Sequence, residues 1–211
     1  MKKIALFGAS GSTGGEFLQL ALNAGFNVNA LVRNPEKITT KTNKLTIIQG
    51  DVLNATDVQK TVQGSDIVVS LFGHVKGSEE WLQTNGTKNI ISAMKLFGVP
   101  KIISLSGGGL PFPEKDEPKI ADKIIRTIMK IVVPKILNDA IEHHKVLAES
   151  GLNWTIVRGA RLTNDPKSNQ YKVGWVGLNA TTITSRADLA DFILKQVDDD
   201  TFDGQMPFVS S

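Results

Sequence analysis

Gly8, Gly11 and Gly14 recur at a spacing of three between an apolar run, Ile4-Ala5-Leu6-Phe7, and a stretch that carries Phe17, Leu18, Ala21 and Leu22 at helical spacing. In such a setting each glycine has its own use. Gly8 ends a strand in a tight turn, Gly11 lets a phosphate approach the backbone, and Gly14 lets the next helix pack closely on the strand. A helix starting near Ser12 points free amides and its positive dipole end at that anion. The chemistry this spacing offers is the binding of a dinucleotide pyrophosphate, with Ser10, Ser12 and Thr13 in the same loop. The order strand, glycine loop, amphipathic helix makes the pattern far more specific than the glycines alone.

Other candidates stand at the ends of later apolar runs. The second run closes with Leu31-Val32-Arg33-Asn34-Pro35, and no carboxylate lies between Gly25 and Pro35. A carboxylate there would bond ribose hydroxyls; Arg33 instead offers a charged fork to a 2′-phosphate, so NADP(H) is expected ahead of NAD(H), with Lys37 as a possible second cation. Asp51, followed by Val52, closes the third run and reads either as an acceptor for an adenine amino group or as a helix N-cap. Leu71, Phe72 and Gly73 close the fourth, where Gly73 lets the chain pass near the ribose and pyrophosphate. Ser106, ahead of Gly107-Gly108-Gly109, closes the fifth and is the hydroxyl expected nearest the nicotinamide.

Composition narrows the classes. Cysteine is absent from the 211 residues, which excludes disulfides, thiolate zinc sites, iron–sulfur ligation and cysteine nucleophiles. The 24 basic and 21 acidic residues give a net charge of +3 with the basic residues dispersed, and this argues against nucleic acid as a partner. The glycine loop interrupts the first apolar run too early for a signal-peptide core or a membrane span, so the chain reads as cytoplasmic and a membrane partner is not expected. His143 and His144, adjacent on one helix, point about 100° apart and cannot chelate one ion as an i, i+4 pair would. They read as surface histidines.

These residues need a scaffold that gathers strand ends on one edge. Apolar runs at Val28–Val32, Leu45–Ile48, Ile67–Phe72, Ile102–Leu105 and Trp154–Val157 follow the first, separated by helical patterns at Ala55–Val62, Trp81–Phe97 and Asn138–Ser150. Gly64, Gly98 and Gly151 follow those helices, as helix ends prefer. The alternation predicts an α/β, Rossmann-like, doubly wound parallel sheet in a single domain over residues 1–211. Two stretches interrupt it: 110–137, a proline-rich surface loop leading into an amphipathic helix that Pro134 ends or kinks, and 163–184, a loop with short strands. Both leave the ligand-binding edge and are expected to wall the substrate side, the 120–137 helix as a lid.

The blocks GASGSTGG, LVRNPEK, GDVLNATDV, SLFG, NGTKNIISAMK, HHKVLAESGLNWTIVR and TSRADLADFIL together resemble the NmrA-like, atypical branch of the short-chain dehydrogenase/reductases. Within it, GDVLNATDVQKTVQGSDIVV and HKVLAESGL are most similar to the small NADPH-dependent flavin reductases of the biliverdin-IXβ reductase group. The resemblance implies hydride passing to a flavin, quinone or tetrapyrrole. The superfamily's Tyr-x-x-x-Lys pair is missing: Ile141 stands at the tyrosine position, four residues before Lys145, and Tyr171 has Trp175 where the lysine belongs. Alcohol–ketone dehydrogenation and epimerisation need such a proton-transfer group, whereas a flavin or quinone can draw its proton from solvent. Ser106 and Gly107 differ from that group's loop, as does Arg161, which stands in place of a histidine and either meets an anionic substrate group or pairs with Asp165; a tetrapyrrole is therefore not the expected acceptor. The expected function is an NADPH-dependent reductase of a small flavin or quinone-like acceptor, with a non-catalytic NADP(H)-binding redox sensor as the alternative. The oligomeric state stays open, a monomer included.

Overall fold

The computed structural model describes residues 2–178 and 180–211. Strands β1 (Lys3–Phe7), β2 (Asn27–Val32), β3 (Leu45–Gln49), β4 (Ile67–Ser70), β5 (Lys101–Gly107) and β6 (Asn153–Gly159) match the six apolar runs. β7 (Arg161–Thr163) pairs with β9 (Ile183–Ser185) in a small separate sheet, while β8 (Lys172–Gly174) and β10 (Phe208–Ser210) join the main one. The main sheet runs β3-β2-β1-β4-β5-β6-β10-β8, parallel except for β8. Strand order reverses between β1 and β4, and in such sheets ligands settle in the crevice at that switch point.

Alternation along β1 sets the two sides of the core. Ile4 and Leu6 face one side, packed with Phe17 and Leu18 of α1 (Ser12–Asn23) and with Leu189 and Ile193 of α6 (Arg186–Lys195). Ala5 and Phe7 face the other, with Val58 of α2 (Ala55–Val62), Ile90 and Met94 of α3 (Leu82–Phe97) and Leu147 of α5 (Pro134–Ala148). A strand covered on both faces must be apolar throughout, which is why β1 has no polar alternation.

The 110–137 stretch differs from its expected form. α4 (Ile120–Val132) ends before Pro134, and Pro134 opens α5 at its first turn, where its missing amide costs nothing. Residues 134–137 therefore belong to the following helix. The preceding loop is not wholly a surface loop: Leu110 and Phe112 are buried, and Asp116 grips Arg158 of β6 through two 2.8 Å bonds. Helix α6 and strand β10 lay outside the sequence-derived elements; Ser185 caps α6 by accepting from the Asp188 amide at 3.0 Å.

Candidate functional site

The glycine loop forms as its residue types require. Gly8 has φ +88°, and a Cβ there would lie 2.5 Å from the Phe72 amide nitrogen, so both conformation and space demand glycine. A Cβ on Gly14 would run into the Gly8 carbonyl, which sets how closely α1 approaches β1. Gly11, by contrast, would meet only the Gly8 carbonyl oxygen at 3.3 Å; its open side faces the crevice. Gly11 is also the N-cap of α1, with no side chain capping the helix and no acidic residue in its first turn. The first-turn amides, Ser12 through Gly14, are thus left for an anion.

A cleft of about 210 Å³ lies over this loop, lined by Gly8, Ser10, Gly11, Arg33, Lys37, Asp51 and Val52 and closed by Leu71, Phe72 and Gly73. Arg33 and Lys37 are exposed at its rim. Asp51 lines the cleft but caps no helix: its Oδ1 accepts from the Leu53 amide at 2.9 Å, and the cap of α2 is Asn54. Ser12, Thr13 and Gly14 sit in the first turn of α1 rather than on the cleft wall, and Thr13 is buried. The residues fit a dinucleotide: an uncapped helix end for the pyrophosphate, a cradle at Gly11, and two cations at the ribose end.

Leu71, Phe72 and Gly73 are shared with a second cavity of about 680 Å³, so the two form one groove along the carboxyl edge of the sheet. Its walls are largely apolar, from Leu105, Ile125, Met129, Ile136, Leu162 and Phe208. α4 supplies Asp122, Ile125, Arg126 and Met129 as one side. Ser106 lies on its floor, buried, with its hydroxyl lacking any partner among the described residues. A buried hydroxyl without a bond is costly unless a ligand or water completes it. Arg161 is exposed on the opposite wall and forms no ion pair with Asp165 among the described residues. At the position of the missing tyrosine, Ile141 is exposed on the outer side of α5.

Polar residues not expected at the site come from α5. The Asp139 carboxylate is fully buried and accepts from the Gln83 amide (2.8 Å), the Thr84 amide (2.9 Å) and the Thr84 hydroxyl (2.6 Å), capping α3 from a neighbouring helix. His74 Nε2 lies 2.6 Å from the same carboxylate, and His74 and Gln83 both line the larger cavity. Asp139 is 65 residues from His74 in the chain. The only sequence signal was that His74 follows Gly73 at a strand end.

His143 corrects the reading of a surface histidine. It is 1% exposed, between the Thr87 hydroxyl at Nδ1 (2.9 Å) and the Ser104 hydroxyl at Nε2 (3.0 Å). Burial pushes its pKa down to about 4, with the His144 charge adding to the drop and Asp139 opposing it. His144 is half-buried with its ring edge-on to Trp154, and burial lowers it too. The unfolded chain binds a proton at His143 near pH 6.5 while the native imidazole stays neutral, so stability falls as pH drops from 6.5 towards 4. Urea unfolding should show about 2 kcal/mol of this loss between pH 7 and pH 5, and His143→Gln should remove that slope. Equal pH slopes in both proteins would place the titrating group elsewhere.

A family model described as NAD(P)H-binding matches residues 8–200. The chain belongs to the NAD(P)H-binding family. An uncharacterized chloroplastic protein of Arabidopsis thaliana is 31% identical over 177 residues, covering 78% of this chain and 61% of the plant protein; the chain thus spans about three-fifths of that relative. Among solved structures, a short-chain dehydrogenase/reductase of Veillonella parvula in complex with NADP superposes with a TM-score of 0.78 at 20% identity, covering all of this chain and 94% of that one. ChuY of Escherichia coli O157:H7, described as an anaerobillin reductase, gives 0.78 at 18% identity, covering all of this chain and 97% of that one. The Rossmann fold expected from the sequence is the fold observed. Among the described residues no helix is long and apolar enough to cross a membrane, and no cluster of acids and histidines could hold a metal ion.

Proposed function

We propose that this chain is an NADPH-dependent reductase that passes hydride to a flavin or quinone-like acceptor without a Tyr-x-x-x-Lys pair. The observation that carries the reading is the continuous groove: a phosphate-binding loop at one end opens into an apolar cavity of about 680 Å³ at the other. Cavities of roughly 300–1,000 Å³ suit small organic ligands. Bound in this groove, NADPH would supply hydride from its nicotinamide at the junction formed by Leu71, Phe72 and Gly73. The chain's part is to hold and to exclude: Leu105, Met129 and Phe208 press on a flat ring, α4 shields it from water, and Ser106 offers one hydrogen bond to orient it. The NADP complex of the Veillonella neighbour and the reductase activity for which ChuY is named are consistent with this reading at the level of the fold.

The preference for NADPH rests on Arg33 at the rim of the smaller cleft. A charge-assisted bond to the 2′-phosphate contributes on the order of 1.5–3 kcal/mol. Arg33→Ala should weaken NADPH about ten- to hundredfold in calorimetric titration and leave NADH unchanged. Equal affinities for the two cofactors in the parent protein would refute the assignment. The reductase reading is tested by NADPH oxidation with riboflavin, FMN and small quinones. Tight NADPH binding with no turnover on any of them would favour a redox sensor instead.

A further inference from the structure

We propose that His74, held by the buried carboxylate of Asp139, is the proton donor of the larger cavity and suits it to acceptors that gather charge on a carbonyl oxygen, the quinone class. The proposal rests on the reductase reading and narrows its acceptor. His74 follows Gly73, one of the three residues common to both parts of the groove, and its side chain is 10% exposed on the cavity wall. Asp139 has only acceptor oxygens, so the nitrogen that meets it, Nε2, carries the hydrogen. Nδ1 is then the nitrogen left to exchange a proton with a ligand.

Capping α3 does not account for this arrangement. The amides of Gln83 and Thr84 would be satisfied by a carboxylate alone, as at any helix N-terminus. The additional 2.6 Å contact turns the capping acid into a group that fixes one imidazole's tautomer and orientation. A buried acid behind an imidazole at a cavity wall is the arrangement in which histidine handles protons. The charged groups around it are Asp139 on α5, with His143 one turn further on, and Asp122, Arg126 and Arg161 on the facing cavity walls.

Reduction balances as follows: quinone, NADPH and one proton give hydroquinone and NADP⁺. As hydride reaches the quinone, an electron pair collects on a carbonyl oxygen; the N–H bond at Nδ1 breaks, its proton bonds to that oxygen, and the neutral imidazole regains a proton from solvent. Such general acid catalysis contributes typically 10²–10⁴-fold. A flavin acceptor, whose ring nitrogen takes the hydride, places much less of this demand on His74.

The test compares the parent protein with His74→Gln, using a naphthoquinone and, in parallel, FMN, near neutral pH. With the quinone, His74→Gln should be about a hundredfold slower than the parent near neutral pH. NADPH affinity should stay within about threefold, and the loss with FMN should be much smaller. A readout independent of turnover is the nitrogen NMR spectrum of the parent's histidines, with His74 assigned by its absence in the variant. It should show hydrogen on His74 Nε2, with Nδ1 as the nitrogen that gains and gives up the exchangeable proton. An Nε2 without hydrogen would overturn the proposal, as would quinone turnover unchanged by His74→Gln, and either result would leave the reductase reading standing. No parent turnover with quinone or FMN would instead overturn the reductase reading, and the proton donor with it.

Discussion

Gly11→Val should abolish NADPH binding, weakening it at least about a hundredfold, while the protein still unfolds cooperatively at nearly the parent's urea midpoint. The three loop glycines differ in what surrounds them. At Gly8 a side chain collides with the backbone at Phe72, and at Gly14 with the Gly8 carbonyl, so substitutions there strain the switch point itself. Gly11 has φ −80° and ψ 164°, extended geometry that valine adopts readily, and a Cβ approaches nothing closer than the Gly8 carbonyl oxygen at 3.3 Å. The added methyl groups would occupy the space in front of the first-turn amides of α1, where the pyrophosphate must come close. Affinity measured by calorimetry and stability measured by urea unfolding separate the two effects. Normal NADPH binding in the variant would mean that the pyrophosphate lies elsewhere and that the uncapped end of α1 is no phosphate site.

The parts of the fold legible in the sequence are those governed by local periodicity. β1 to β6 announce themselves because parallel strands buried on both faces are runs of apolar residues, and α2 spans the expected Ala55–Val62 because Asn54 and Gly64 bracket it. β8 and β10 are three residues each, too short for a pattern to emerge; β10 forms on the edge of β6, and β8 on the edge that β10 then offers. α6 carried a readable start, Ser185 with Asp188 three residues on, ahead of an apolar stretch. The site divides in the same way. Its smaller cleft is built from contiguous motifs at strand ends, so the glycine loop, Arg33, Asp51 and Leu71 to Gly73 line one cleft. Its larger cavity is assembled from distant segments. His143 shares a stripe with Leu137, Ala140 and Leu147, buried along α5, and that spacing was a signal against a surface position. Asp139 offered none: its partners on α3 and at His74 become neighbours only once α5 packs on α3.

Asp116→Ala should cost about 3–5 kcal/mol of stability, the penalty for leaving a buried charge uncompensated. Arg158 is 0% exposed in the middle of the main sheet. Its Nε donates to the Met206 carbonyl at 2.8 Å and its Nη1 to the Leu110 carbonyl at 2.9 Å, but among the described residues only Asp116 neutralises it. Burial by itself would raise the Asp116 carboxyl; bonds from Arg158 and the Phe112 amide, then the Arg158 charge and the Val176 amide, outweigh it and hold the pKa below the ordinary carboxylate range. A carboxylate depressed in this way stabilises the fold above its unfolded pKa and loses that contribution as pH falls through the folded one. The pair also braces the larger cavity, because Asp116 takes the amide of Val176, a cavity-wall residue, and lies 3.7 Å from Arg126 of α4. Urea unfolding of Asp116→Ala should therefore show the large loss. The double variant Asp116→Leu with Arg158→Met should regain much of it, since an apolar pair of similar volume carries no desolvation cost. Because the glycine loop lies across the sheet from this pair, NADPH should still bind the folded double variant while the apolar cavity loosens. A loss below about 1 kcal/mol in Asp116→Ala would show that water reaches Arg158 and that the 110–119 loop is not the strut it forms here.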